Sequence, residues 1–127
     1  MNDSSSAVYH PLVGMQGLPF SEAVQVGELL FLSGQIGRDT SGKLVPGGVG
    51  PETRQAMANI GAVLGRHGSS LDRIVKVTVM LADIGEWAAM NAEYVKLFPR
   101  HLPARSAFGT SGLAMGARVE IECVAVV

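Results

Sequence analysis

One cysteine, Cys123, among 127 residues excludes an intramolecular disulfide and fits a reducing compartment. The cytoplasm is therefore the expected setting. Charge is scarce too, at 17% of residues, and the ten basic and 11 acidic side chains are mixed along the chain for a formal net charge of −1. A folded nucleic-acid-binding domain leaves a basic footprint, because each phosphate contact needs a positive partner. With no basic run and only 6% aromatic residues to stack on bases, nucleic acid is not an expected partner. No apolar run approaches the roughly 20 residues that span a bilayer, so a membrane is not one either. The opening MNDSSSAV has an acidic residue and no basic one, unlike a signal peptide. It reads as a short frayed tail, with residues 1–9 holding that tail and the start of a first strand before a single domain over 10–127.

Other chemistries are excluded by spacing. His10, His67 and His101 form no HxH and no i, i+4 pair, so no metal site is expected. His67 follows Arg66 at a helix C-terminus, where positive charge is favourable whatever the function. Ser33 has no histidine at a telling distance, which leaves a hydrolase triad without support. Gly47-Gly48-Val49-Gly50 precedes a helix but has no lysine and follows no strand directly, so it is not a phosphate loop.

What is present is apolar periodicity. Hydrophobic residues make up 47% of the chain. Ser21–Gln35 reads as two strands hinged at Gly27-Glu28, and its Leu29-Leu30-Phe31-Leu32 is too continuously apolar for a water-exposed edge. A helix is predicted from about Pro51 to His67, with Met57, Ile60, Val63 and Leu64 as its buried stripe and Gly68 as its stop. Ile74–Leu81 alternates as a strand, with Val75, Val77, Val79 and Leu81 on one face. A second helix, about Glu86 to Phe98, puts Trp87, Met90, Tyr94, Leu97 and Phe98 inside, and Pro99 ends it. Strands near Ser106–Thr110 and Arg118–Val126 follow. This order predicts an α+β fold, one sheet of about six strands with two helices on one face. The last strand is apolar on Val119, Ile121, Cys123 and Ala125, yet Val124 and Val126 make its other face apolar as well. Two helices cannot cover both faces, and large apolar patches seldom stay exposed on monomers. A homo-oligomer packed through the sheet is the expectation.

Two residues carry the candidate chemistry. Arg105 follows Pro103-Ala104 where the chain enters a strand with no further charge. A solvated loop arginine and a buried guanidinium clamping a carboxylate both fit that context. Glu120 shares a strand face with Glu122, two residues after Arg118. They form either a salt-bridged exposed row or, if another subunit covers them, carboxylates pushed toward neutrality. Cys123 belongs to the apolar face and reads as core.

FSEAVQVG, LFLSGQIG, the Gly-Gly-Val before the helix, VKVTVMLADI, MNAEY, LPARSA and VEIECVAV occur in an order and spacing that resemble the RidA (YjgF/L-PSP) family of enamine/imine deaminases, over roughly residues 10–127. The resemblance implies a chorismate-mutase-like fold and a homotrimer whose ligand clefts lie between subunits. It implies an enzyme acting on small 2-imino or 2-enamino acids, hydrolysing 2-iminobutanoate or 2-iminopropanoate to the 2-keto acid and ammonia, with no cofactor and no metal. By the same resemblance Arg105 clamps the substrate carboxylate, Glu120 positions or activates water, and Ser33, Gly34 and Asn91 line the pocket. Phe20 stands where many members have tyrosine, and Ala107 where many have cysteine. Both positions line the cleft, so a hydroxyl and a thiol are lost from it. A carboxylate-binding regulator without turnover, a deaminase of another substrate such as an aminomuconate-like compound, and an endoribonuclease are the rival expectations, the last disfavoured by the neutral charge.

Overall fold

Strands with one apolar face and helices with one apolar stripe bury both only by layering. A computed structural model of the chain describes residues 6–14 and 17–127, and in it the described residues form such a layer pair. Strands β1 (Ala7–His10), β2 (Ala23–Val26), β3 (Leu29–Ile36), β4 (Ile74–Leu81), β5 (Ala104–Gly109) and β6 (Val119–Val126) make one mixed sheet in the order β1-β2-β3-β6-β4-β5. Every neighbouring pair is antiparallel except β4 and β5. Helices α1 (Val49–Arg66) and α2 (Trp87–Tyr94) pack on one face, with short 3-10 turns on either side of α2. Met1–Ser5 of the expected tail lie outside the described residues, while Ala7 and Val8, also read as tail, pair with β2 in β1.

The helix stripe is as the spacing predicts: Met57, Ile60, Val63 and Leu64 are buried against Val119, Ile121, Cys123 and Ala125 of β6. Helix α1 begins two residues before Pro51, because Gly48 adopts φ 89° and turns the loop directly into Val49. It ends at Arg66, capped by His67, and the chain then turns away at Gly68, whose φ of 80° only glycine adopts freely. One strand face differs from expectation. The pairing of β4 with β6 slips between Ile74 and Lys76, so a bulge inserts one residue and reverses the alternation there. Ile74 therefore takes the inner face with Val77, Val79 and Leu81, and Val75 is turned outward. The sheet face away from the helices carries Leu29, Phe31, Val75 and Phe108, all exposed. That is the two-sided apolar sheet anticipated above.

A charged cluster ties the sheet to the end of α1. Glu22, just before β2, is 2% exposed. Its carboxylate accepts from Arg66 Nη2 at 2.8 Å and Nε at 3.2 Å, and lies 2.7 Å from His67 Nε2. The His67 ring stacks on His10 of β1 at 4.0 Å. Burial pushes the Glu22 carboxyl up, but the hydrogen bonds and charge of Arg66 and His67 outweigh it and hold it below its ordinary 4.5. A carboxylate lowered by folding adds stability above its unfolded pKa and loses that stability as pH falls through the folded value. Glu22→Gln is therefore expected to cost about 1–3 kcal/mol near neutrality. The gap to wild type should close as pH drops below 4.5, read by urea unfolding across the acid range. A gap that stayed constant with pH would show that the charge of Glu22 contributes nothing.

Candidate functional site

Parallel strands need a crossover, and in the β4–α2–β5 unit that crossover is α2. Register then decides which way Arg105 points. It pairs with Val77 of β4, which is fully buried on the helix side, so Arg105 also faces the helices and meets α2. Arg105 Nη1 donates to Asn91 Oδ1 at 2.7 Å. The guanidinium carbon lies 4.8 Å from the Tyr94 ring centre and 5.8 Å from that of Trp87, within cation–π range. Trp87, Met90, Asn91 and Tyr94 are spaced i, i+3, i+4, i+7, one face of a helix, and that face presents them to the arginine. Burial raises the Tyr94 phenol, with the Arg105 charge working against it.

The half-buried Arg105 is thus neither a solvated loop residue nor neutralised by a carboxylate of its own chain among the described residues. One guanidinium nitrogen, Nη1, is committed to the neutral Asn91 amide and to the Met90 sulfur 4.0 Å away, and the other two nitrogens carry donors for an anion. The guanidinium opens into a cavity of about 270 Å³ lined by Trp87, Asn91, Tyr94, Val95, Leu102 and Pro103. Ala107, two residues on and half-buried, shares the Arg105 face and packs against the core.

Glu120 lies elsewhere. It pairs with Met80 of β4 and Ile36 of β3, and Met80 pairs on its other side with the exposed Phe108. This row belongs to the face away from the helices. Arg105 and Glu120 are therefore on opposite faces of the sheet, with β4 between their strands. They do not meet within one chain. Beside Glu120 the β3–β6 pairing slips between Leu32 and Gln35, and Gly34 sits in the slip. A Cβ on Gly34 would collide with the Glu120 carboxylate, 3.0 Å from its Cδ, so glycine is what leaves the carboxylate its place. Ser33 donates from Oγ to the Ser21 carbonyl at 2.5 Å, which ties β3 to the residue following Phe20, itself half-exposed.

The expected site residues thus fall into two groups. Arg105, Asn91 and Ala107 share the helix side; Glu120 and Gly34 meet on the other, with Ser33 preceding Gly34 in the chain and Phe20 preceding Ser21, the residue that Ser33 holds. Burial, then the neighbouring charge of Glu122, raises the Glu120 carboxyl above 4.5. Neither acid has an ion-pair partner among the described residues, since Arg118 is bound instead to Glu86 at 2.6 Å. Burial, again with Glu122, pushes the core thiol of Cys123 up to about 12, so it is no nucleophile. Among the described residues no cluster of histidine, cysteine and acidic side chains could hold a metal ion, and no helix is long and apolar enough to cross a membrane.

Sequence spacing put Trp87 and Tyr94 in the core. Tyr94 is buried, but Trp87 is 46% exposed at the cavity, because α2 reaches the edge of the sheet there. The signal for both was Asn91, a polar residue inside an otherwise apolar helical stripe.

The family model described as Endoribonuclease L-PSP matches residues 16–127. The 2-iminobutanoate/2-iminopropanoate deaminase of Mus musculus is 46% identical over 109 residues, 85% of this chain and 81% of that protein. The protein of the same name from Capra hircus is 47% identical over 109 residues, 85% and 80% of the two chains. The crystal structure of RidA from the Antarctic bacterium Psychrobacter sp. PAMC 21119 superimposes with a TM-score of 0.82 at 30% identity, covering 99% of this chain and 97% of that one.

Proposed function

The chain belongs to the RidA (YjgF/L-PSP) family, and from that premise we propose that it is an imine deaminase, hydrolysing small 2-imino acids to 2-keto acids and ammonia. The observation that carries this is the Arg105 guanidinium, held by Asn91 and flanked by two aromatic rings at the base of a small cavity. A planar fork held in place suits a carboxylate, and fixing the carboxylate fixes the neighbouring C=N carbon. Glu120 takes a proton from a water that adds to this carbon. The same proton then goes to nitrogen, Glu120 takes the proton of the new hydroxyl as the C–N bond breaks and C=O forms, and ammonia leaves. The protonated imine is itself electrophilic, so the scheme calls for no cofactor.

Since the two groups lie on opposite sheet faces of one chain, the scheme requires a second copy to bring its Glu120 face to Arg105. Association through the exposed Phe31 and Phe108 face would do so, and three copies, as the resemblance implies, is the assembly we propose. A cytoplasmic setting goes with the single buried thiol. RNA as a substrate is disfavoured by the formal net charge of −1.

The test is release of 2-keto acid when a serine/threonine dehydratase or an amino-acid oxidase generates the imine. No acceleration, with 2-keto acids still binding, would make the protein a carboxylate binder instead. The pH profile tests the role of Glu120. A base must be ionised, and its carboxyl is raised, so kcat/KM should be full above the folded pKa and fall as pH drops through it. That acid limb should have its midpoint above 4.5, and Glu120→Gln should lose both the limb and most of the rate. A limb unchanged in Glu120→Gln would assign the base elsewhere.

A further inference from the structure

In one chain taken alone, three large apolar side chains are exposed round Arg105: Trp87 at 46%, Val95 at 52% and Leu102 at 63%. They come from three separate places, the first residue of α2, the turn that follows it, and the approach to β5. All line the same cavity. Scattered exposed apolar residues need no explanation, but a contiguous apolar patch beside a cation does. Holding a carboxylate requires only the guanidinium and Asn91, and an apolar rim lowers the dielectric without adding a hydrogen bond. At about 270 Å³ the cavity lies just below the roughly 300–1,000 Å³ of drug-sized sites. That leaves room for a small acid with one side chain, not for a peptide or a nucleotide.

We infer that Trp87 is a specificity-determining residue, and that the wall it forms with Val95 and Leu102 selects 2-imino acids bearing longer apolar side chains, branched aliphatic or aromatic, over those bearing a methyl group. This rests on the deaminase reading. In a 2-imino acid the side chain begins one atom beyond the carbon that carries the carboxylate. With the carboxylate on the open edge of Arg105, and the Trp87 ring centre 5.8 Å from the guanidinium carbon, groups beyond Cβ lie along the indole. A methyl group ends before it reaches the wall. An isobutyl or benzyl group covers it, and apolar area leaves water on both partners. Tyr94 cannot take this part, because it is buried beneath the guanidinium and packs on Phe98 at 4.9 Å.

The experiment measures kcat/KM for imino acids generated from alanine, leucine and phenylalanine by an amino-acid oxidase, with the remaining imine trapped by semicarbazide. Wild type should favour the leucine- and phenylalanine-derived imines over the alanine-derived one by about tenfold or more, the scale set by a few methylene groups in an apolar pocket. Trp87→Ala should reduce that ratio about tenfold, and Trp87→Phe, which keeps a ring, should retain most of it. Circular dichroism and gel filtration establish that each variant is folded. Equal losses on all three substrates in Trp87→Ala, or a wild-type ratio near one, would overturn the inference while leaving the deaminase reading intact. No acceleration of any imine by wild type would overturn both.

Discussion

Arg105→Ala is expected to abolish measurable deamination while the chain still folds and associates. The residue lies on β5, which among the described residues pairs only with β4, and its side chain is half-buried, so its removal opens the existing cavity without emptying the core. The loss falls on the ligand. Truncating one partner of a charge-assisted contact costs about 2–5 kcal/mol, which is about 30- to 5,000-fold in kcat/KM. The upper end is expected, because the carboxylate contact also orients the reacting carbon. Arg105→Lys should recover only part of the rate: an ammonium supplies charge but neither the second parallel donor nor a flat surface for Tyr94. The measurement is 2-keto acid release in the coupled assay beside thermal unfolding of each variant. Turnover like wild type in Arg105→Ala, with the fold intact, would remove Arg105 from the mechanism.

The parts of this site that could be read from the residues are those governed by local periodicity. Val119, Ile121, Cys123 and Ala125 alternate, and all are buried; Met57, Ile60, Val63 and Leu64 recur at helical spacing, and so are they. Counting fails where a bulge adds a residue, which is why Val75 faces outward and Ile74 inward. It also fails for Trp87, since a stripe tells which residues share a helix face but not where the sheet beneath that face ends. The Glu22 cluster joins positions 44 and 45 apart, so His67 could be read only as a favourable charge at a helix end. Most consequential is the relation of Arg105 to Glu120. Parity within one strand is legible, but parity between β5 and β6 passes through β4, and only the pairings Val77 with Arg105 and Met80 with Glu120 reveal that the two point to opposite faces.

That opposition leads to the second large effect. If the base and the clamp of one site come from different copies, Arg105→Ala and Glu120→Gln chains, each inactive alone, should restore activity when mixed. A working site forms wherever a Glu120→Gln chain supplies its intact Arg105 and the adjoining Arg105→Ala chain supplies its intact Glu120. In a randomly assembled equal mixture with closed cyclic symmetry, half of the sites have a good arginine, and half of those a good glutamate, so about a quarter of wild-type activity is expected. Co-expression under two affinity tags, followed by sequential purification, removes the uniform assemblies and isolates mixed ones, in which one site of three works, so the coupled assay should read about a third of wild-type activity there. The arithmetic separates the geometries. Were both residues of a site drawn from one chain, every site in the mixture would still contain one defect, and activity would stay at the level of the single variants. Restoration must also depend on the open sheet face. Phe31→Asp, placed in the middle of that face and 43% exposed in one chain, would bury a charge at every contact, and should therefore abolish both association and the recovered rate. Full recovery from a monomeric mixture would contradict the shared site, because no single chain can carry its own Glu120 to Arg105 across the sheet.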